Sequence, residues 1–144
     1  MIAGNREAVE RAVPLAREAG AKRAILLQVS APFHCALLKP AEDRLAADLA
    51  NISFSDLRCS LVTNVDAEPI RSAEEARSSL KRQVSLPVRW EESVRRLLDE
   101  GVRTFVEAGP GKVLLGLIRS IDKSVTMLNV EDEKSVENTL SALL

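Results

Sequence analysis

Short apolar runs alternate with helix-patterned segments along the whole chain, and that alternation leaves few architectures open. Residues 23–29 (Arg-Ala-Ile-Leu-Leu-Gln-Val), 58–63, 103–107 (Arg-Thr-Phe-Val-Glu) and 124–129 read as strands. Between them lie segments with helical spacing. Residues 5–19 carry an apolar stripe of Ala8, Val9, Ala12, Val13 and Ala16, with Asn5 placed to cap and Gly20 to stop the helix. Pro14 interrupts that pattern. It removes a backbone donor and crowds the Glu10 carbonyl, at about 3 kcal/mol in a helix interior, so a kink or break is expected there. Pro40 suits the first turn of a helix reaching about residue 50, with Leu45, Ala46 and Leu49 inward. Ser72 and Glu75 have capping-box spacing, predicting a helix over about 73–83; residues 64–71 before it read as a turn. Pro87 precedes a helix at about 88–100, closed by Gly101. Gly109-Pro110-Gly111 makes a tight turn into a helix from Lys112 to about Ser120, and a last helix covers 132–143. Its acidic start, Glu131-Asp132-Glu133, suits the positive end of the helix dipole. Strands alternating with helices imply an α/β fold with a mostly parallel sheet and helices on its faces.

Composition narrows the function classes. The 144 residues carry a net charge of −1 with both signs interspersed, which gives no electrostatic footprint for nucleic acid. No apolar run approaches membrane-spanning length, and no basic start with an apolar stretch marks a signal peptide. Cys35 and Cys59 are then expected to be reduced thiols in a cytoplasmic protein. Residues 2–4 (Ile-Ala-Gly) look like the end of a strand, so the chain opens in mid-element and reads as a fragment of something larger.

His34 is the only histidine, and it sits in the loop Ser30–Leu38 just after a strand-like run. Imidazole suits proton transfer at neutral pH, and open α/β sheets place ligands and catalysts in loops after strands. The bland alternative is a loop histidine that hydrogen-bonds locally. Cys35 is a poor partner for it, because neighbours in an extended segment point opposite ways; a small buried apolar role fits it better. One histidine and two distant cysteines match no zinc-ligand spacing, so no metal is expected. Gly109-Pro110-Gly111-Lys112 fails as a phosphate loop, because position 106 is Val and position 113 is Val; Leu114 rules out the dinucleotide fingerprint. What remains is a sharp strand-to-helix turn whose helix start presents amides to an anion only in the generic way. Asn64 and Gln83, each at the end of an element, pass unnoticed on physics alone.

Several segments, in order, resemble the malonyl-CoA:acyl carrier protein transacylase family. Ser30-Ala-Pro-Phe-His-Cys-Ala-Leu-Leu-Lys-Pro40 is similar to the stretch bearing that family's catalytic histidine. Leu61-Val-Thr-Asn-Val-Asp66 resembles its Asn-Val strand end, and Leu80-Lys-Arg-Gln-Val-Ser-Leu-Pro-Val-Arg-Trp90 its Arg-Gln and Pro-Val-x-Trp segment. Glu107-Ala-Gly-Pro-Gly-Lys-Val-Leu-Leu-Gly116 resembles its Gly-Pro-Gly-Lys-Val-Leu turn. The resemblance implies transfer of a malonyl group from coenzyme A to the phosphopantetheine thiol of acyl carrier protein, in fatty acid biosynthesis, through an acyl-serine. It implies no cofactor beyond those substrates. It makes His34 the general acid/base and puts Gln83 where a backbone carbonyl orients the imidazole; Asn64 falls near the same site. Phe33 before the histidine points weakly to malonyl over methylmalonyl. It also implies that residues 1–29 end a ferredoxin-like small subdomain and residues 30–144 close an α/β-hydrolase-like acyltransferase large subdomain.

The departures matter as much. No Gly-x-Ser-x-Gly occurs in the chain. The resemblance places the nucleophilic serine, the oxyanion glutamine and the carboxylate-gripping arginine in an amino-terminal half not represented here. The chain alone is therefore expected to lack transacylase activity and to be poorly stable. Two other readings stand beside this one: a piece of a polyketide or fatty acid synthase acyltransferase domain, and a non-catalytic α/β module that binds carrier protein.

Overall fold

The computed structural model describes residues 2–144, and Met1 lies outside the described residues. The chain is α/β and divides into two compact units, one ending at Val88 and one running from Arg89 to Leu144.

The first unit holds α1 (Arg6–Glu18), a short 3-10 turn (Ala36–Leu38), α2 (Lys39–Ala50), the strands β1 (Leu61–Val62) and β2 (Pro69–Ile70), and α3 (Ala73–Gln83). α1 ends as expected, with Gly20 at φ +92°, a left-handed backbone that a residue without Cβ adopts at low cost. The expected break at Pro14 does not occur: the helix runs through it. Asn5 makes no side-chain cap; its carbonyl accepts from the Val9 amide instead. None of α1's residues is buried.

The expected strand at 23–29 is also absent. Those residues join no ladder, and Ile25, Leu26, Leu27 and Val29 are exposed. The physical reason is that a strand exists only when paired, since its backbone groups need partners; among the described residues none forms a ladder with this segment. Nor do residues 2–4 form strand. The predicted strand 58–63 contracts to Leu61–Val62. It pairs antiparallel with Pro69–Ile70 inside the segment expected to be a turn, so this small sheet is a hairpin rather than part of a parallel sheet. α3 matches its prediction at both ends. Ser72 Oγ accepts from the Glu75 amide, and Glu75 reaches back to the Ser72 amide at 3.0 Å. These bonds hold the Glu75 carboxyl below its ordinary range, the Ser72 hydroxyl contributing most.

The second unit holds α4 (Trp90–Asp99), β3 (Thr104–Ala108), α5 (Val113–Ile121), β4 (Thr126–Val130) and α6 (Glu133–Leu143). β3 and β4 are parallel, in register Thr104 to Thr126 through Ala108 to Val130, joined by α5 as the crossover that parallel pairing needs. Val94, Leu115, Ile118 and Val125 form the buried cluster, with Trp90, Leu98, Phe105, Ile121 and Met127 packed on it. Asp132 caps α6 by accepting from the Ser135 amide at 2.8 Å, a closer role than the generic dipole effect expected of the acidic start.

Candidate active site

His34 is held in an unusual conformation. Its φ is +59°, in the left-handed region where a residue with a Cβ sits at a cost of roughly 1–2 kcal/mol. Local bonds hold the loop around it. The Phe33 amide donates to the Ala31 carbonyl at 2.9 Å, Cys35 Sγ donates to the Pro32 carbonyl at 3.2 Å, and the Leu38 amide closes the 3-10 turn on the Cys35 carbonyl at 3.0 Å. Cys35 thus bonds its own loop rather than the imidazole.

The half-buried ring finds its partner far along the chain. Nδ1 lies 2.9 Å from the Gln83 carbonyl oxygen. Gln83 is the last residue of α3, and the carbonyls of a helix's final turn have no partner within the helix. A C-terminal helix carbonyl is therefore a ready acceptor, and Nδ1–H meets it. The Gln83 side chain is a second neighbour, with Nε2 3.4 Å from Nδ1 and 3.2 Å from the Leu86 carbonyl. The shorter contact favours the tautomer protonated at Nδ1, leaving the Nε2 lone pair of His34 free. Asn64 is not brought into this arrangement by any hydrogen bond. It lies exposed in the β1–β2 turn.

Around this pair are groups that sequence reasoning passed over. Glu42, in α2, is 3 % exposed. Its carboxylate accepts from the hydroxyl of buried Ser85 and from Lys39 Nζ at 2.6 Å. The Lys39 bond first, and the Ser85 bond second, hold the Glu42 carboxyl below its ordinary range, and Lys39 is raised in turn chiefly by Glu42. Arg82 forks onto Asp66 through two bonds of 2.7 and 2.5 Å, tying the end of α3 to the β1–β2 turn; that bond also raises the guanidinium. A signal for Glu42 existed: it stands at helical spacing with Leu45 and Leu49, a carboxylate on an apolar stripe.

The Gly109-Pro110-Gly111 turn offers no anion site. The helix start that follows is already filled from within: Glu107 accepts from the Leu114 and Leu115 amides at 3.1 and 2.9 Å, and Glu131 from the Gly111 amide at 2.8 Å. Glu107→Ala is accordingly expected to lower the stability of the second unit by about 1–2 kcal/mol, with Glu107→Gln intermediate, measured by urea unfolding. An unchanged midpoint would show that water replaces the carboxylate without loss. Among the described residues no group of three or more His, Cys, Asp or Glu could hold a metal ion, and no helix is long and apolar enough to cross a membrane.

No family model matches the chain. Individual proteins do. The chain is 46% identical over 135 residues to the malonyl CoA-acyl carrier protein transacylase of Haemophilus influenzae, covering 94% of this chain and 43% of that protein. It is 40% identical over 143 residues to the one from Bacillus subtilis, covering 99% of this chain and 45% of that protein. The chain belongs to the malonyl CoA-acyl carrier protein transacylase family. It spans less than half the length of these relatives, as their carboxy-terminal half. Solved transacylase structures agree. An acyl carrier protein S-malonyltransferase from Vibrio cholerae matches with a TM-score of 0.90 and 43% identity, over 94% of this chain and 44% of that one. A malonyl-transacylase in complex with its type II polyketide acyl-carrier protein matches with a TM-score of 0.92 and 45% identity, over 96% of this chain and 45% of that one.

Proposed function

We propose that this chain supplies the histidine half of a malonyl-transfer site, moving malonyl from coenzyme A to the thiol of an acyl carrier protein in fatty acid biosynthesis. The observation that carries the reading is the His34–Gln83 pair. A ring fixed at Nδ1 by a backbone carbonyl presents Nε2 as a base. In this reading Nε2 takes the proton of a serine hydroxyl as that oxygen attacks the malonyl thioester. It returns the proton to the departing coenzyme A thiolate. The acyl-serine is then attacked by the carrier protein's thiol, with His34 again as the relay. Gln83 acts through its main chain, and Asn64 borders the site.

The serine belongs to the amino-terminal portion that the relatives carry beyond the matched region, and so do the oxyanion donors and the arginine that grips the malonyl carboxylate. Family membership and the coverage of 43–46% favour this division over a non-catalytic module. The exposed apolar surface favours it too. An open trough of ≈ 970 Å³ is lined by α1 and residues 23–33, among them Val9, Val13, Ile25, Leu27 and Phe33. Contiguous apolar surface of this kind marks a covered face. In this reading residues 1–29 end a ferredoxin-like small subdomain, residues 30–144 complete an α/β-hydrolase-like large one, and the missing portion pairs with 23–29.

The test is a malonyl-transfer assay on the chain alone and on the chain fused to the amino-terminal half of the Haemophilus influenzae relative. The chain alone is expected to give no turnover, and the fusion measurable turnover. Turnover by the isolated chain that disappears with His34→Ala would overturn the division of labour; an inactive but folded fusion would overturn the assignment itself.

A further inference from the structure

We propose that Glu42 is a positioning residue for the His34 imidazole, acting through Ser85 on the carbonyl of Gln83. It rests on the proposed role of His34 for its meaning, but its test reads the ring directly and not transfer.

The carbonyl that orients His34 stands at a helix end, where chains fray. α3 has no left-handed glycine to close its last turn: Val84 continues in the right-handed helical region, and its amide reaches the Lys81 carbonyl only at 3.3 Å. The Leu86 amide on the Arg82 carbonyl at 3.0 Å and the Arg82–Asp66 fork hold the turn on one side of Gln83, and a buried bond holds it on the other. The segment after Gln83 is pinned by Ser85, whose hydroxyl donates to the Glu42 carboxylate, both residues being buried. Glu42 stands in the first turn of α2, the helix into which the His34 loop runs directly.

Two stretches of chain, 34–42 and 83–85, are therefore cross-linked at two points, His34 to Gln83 and Glu42 to Ser85. One bond alone lets the stretches slide or pivot; two fix their register. The second bond is the stronger anchor, because it is charge-assisted and shielded from water. A buried carboxylate is costly unless its oxygens are satisfied, and here they are, by Lys39 on one and Ser85 on the other. The arrangement also decides which neighbour Nδ1 meets. With Gln83 held, Nδ1–H faces the carbonyl at 2.9 Å; a small shift would let the side-chain amide, now at 3.4 Å, donate to Nδ1 and stabilise the opposite tautomer, with Nε2 protonated and useless as a base.

His34 is the only histidine, so its ring nitrogens can be read without assignment in the full 144-residue chain labelled with ¹⁵N-histidine. With the ring neutral, wild type is expected to show a protonated Nδ1 and an unprotonated Nε2. Glu42→Ala and Ser85→Ala are each expected to move both signals toward the averaged position of freely exchanging tautomers. The double substitution should do no more than either alone, because both break one link. Glu42→Gln, which still accepts from Ser85, should restore the single-tautomer spectrum in large part. Asp48→Asn, on the same helix but exposed, is the control. If Glu42→Ala unfolds the chain by circular dichroism, Ser85→Ala and Glu42→Gln carry the test. Wild-type signals already averaged, variants unchanged from wild type, or equal shifts in Asp48→Asn would each overturn the proposal.

Discussion

Replacing His34 by alanine in the fusion with an amino-terminal half is expected to cut malonyl transfer by on the order of 10⁴- to 10⁶-fold, as loss of the base does in comparable relays. Oxyanion stabilisation and binding would sustain the remainder. Gln83→Ala makes the informative contrast. The contact to Nδ1 comes from the Gln83 main chain, so alanine keeps the acceptor. It removes the 3.4 Å amide neighbour and that amide's 3.2 Å bond to the Leu86 carbonyl, and the rate should stay within about tenfold of wild type. A loss smaller than tenfold for His34→Ala, or equal losses for both variants, would be incompatible with an imidazole relay oriented by a carbonyl. The measurement is steady-state transfer to carrier protein with malonyl-CoA saturating, so that kcat and not binding is compared.

Truncating Ile118 to alanine is expected to destabilise the second unit by about 2–5 kcal/mol. Ile118 is 5 % exposed and belongs to the cluster with Val94, Leu115 and Val125. The unit is small, and small folds have little margin. Loss of this size would leave much of it unfolded at room temperature. Trp90, the only tryptophan, packs on the same cluster, so its fluorescence during urea unfolding reports the transition directly. A midpoint shift equivalent to less than about 1 kcal/mol would mean that the cluster collapses around the cavity without consequence.

Features governed by neighbours in sequence were legible before any coordinates. The Ser72–Glu75 box set the start of α3 because both its bonds close within one helical turn. Gly20 and Gly101 ended their helices through their own backbone freedom. Features governed by distant partners were not. Residues 23–29 have every local property of a buried strand and are unpaired, since pairing depends on other chain segments. Pro14 was expected to interrupt α1, yet the helix continues through it; losing one donor does not stop the turns on either side. At the candidate site His34 could be found as a lone imidazole in a loop. Its orientation by a main-chain oxygen could not, because a carbonyl leaves no trace in residue identity; the Gln83 position came from family resemblance. Glu42 was hidden for a related reason. A carboxylate inside an apolar stripe signals a partner without saying which, and Ser85 lies on another element.

The left-handed backbone at His34 sets two demands against each other at a single position. Glycine there would relieve the main chain and remove the proposed proton carrier. Asparagine, which tolerates that conformation, would also leave no base. A search for hardier variants scored on folding alone would thus drift toward residues that disarm the site. The imidazole found there answers to the proposed chemistry, not to the ease of the main chain.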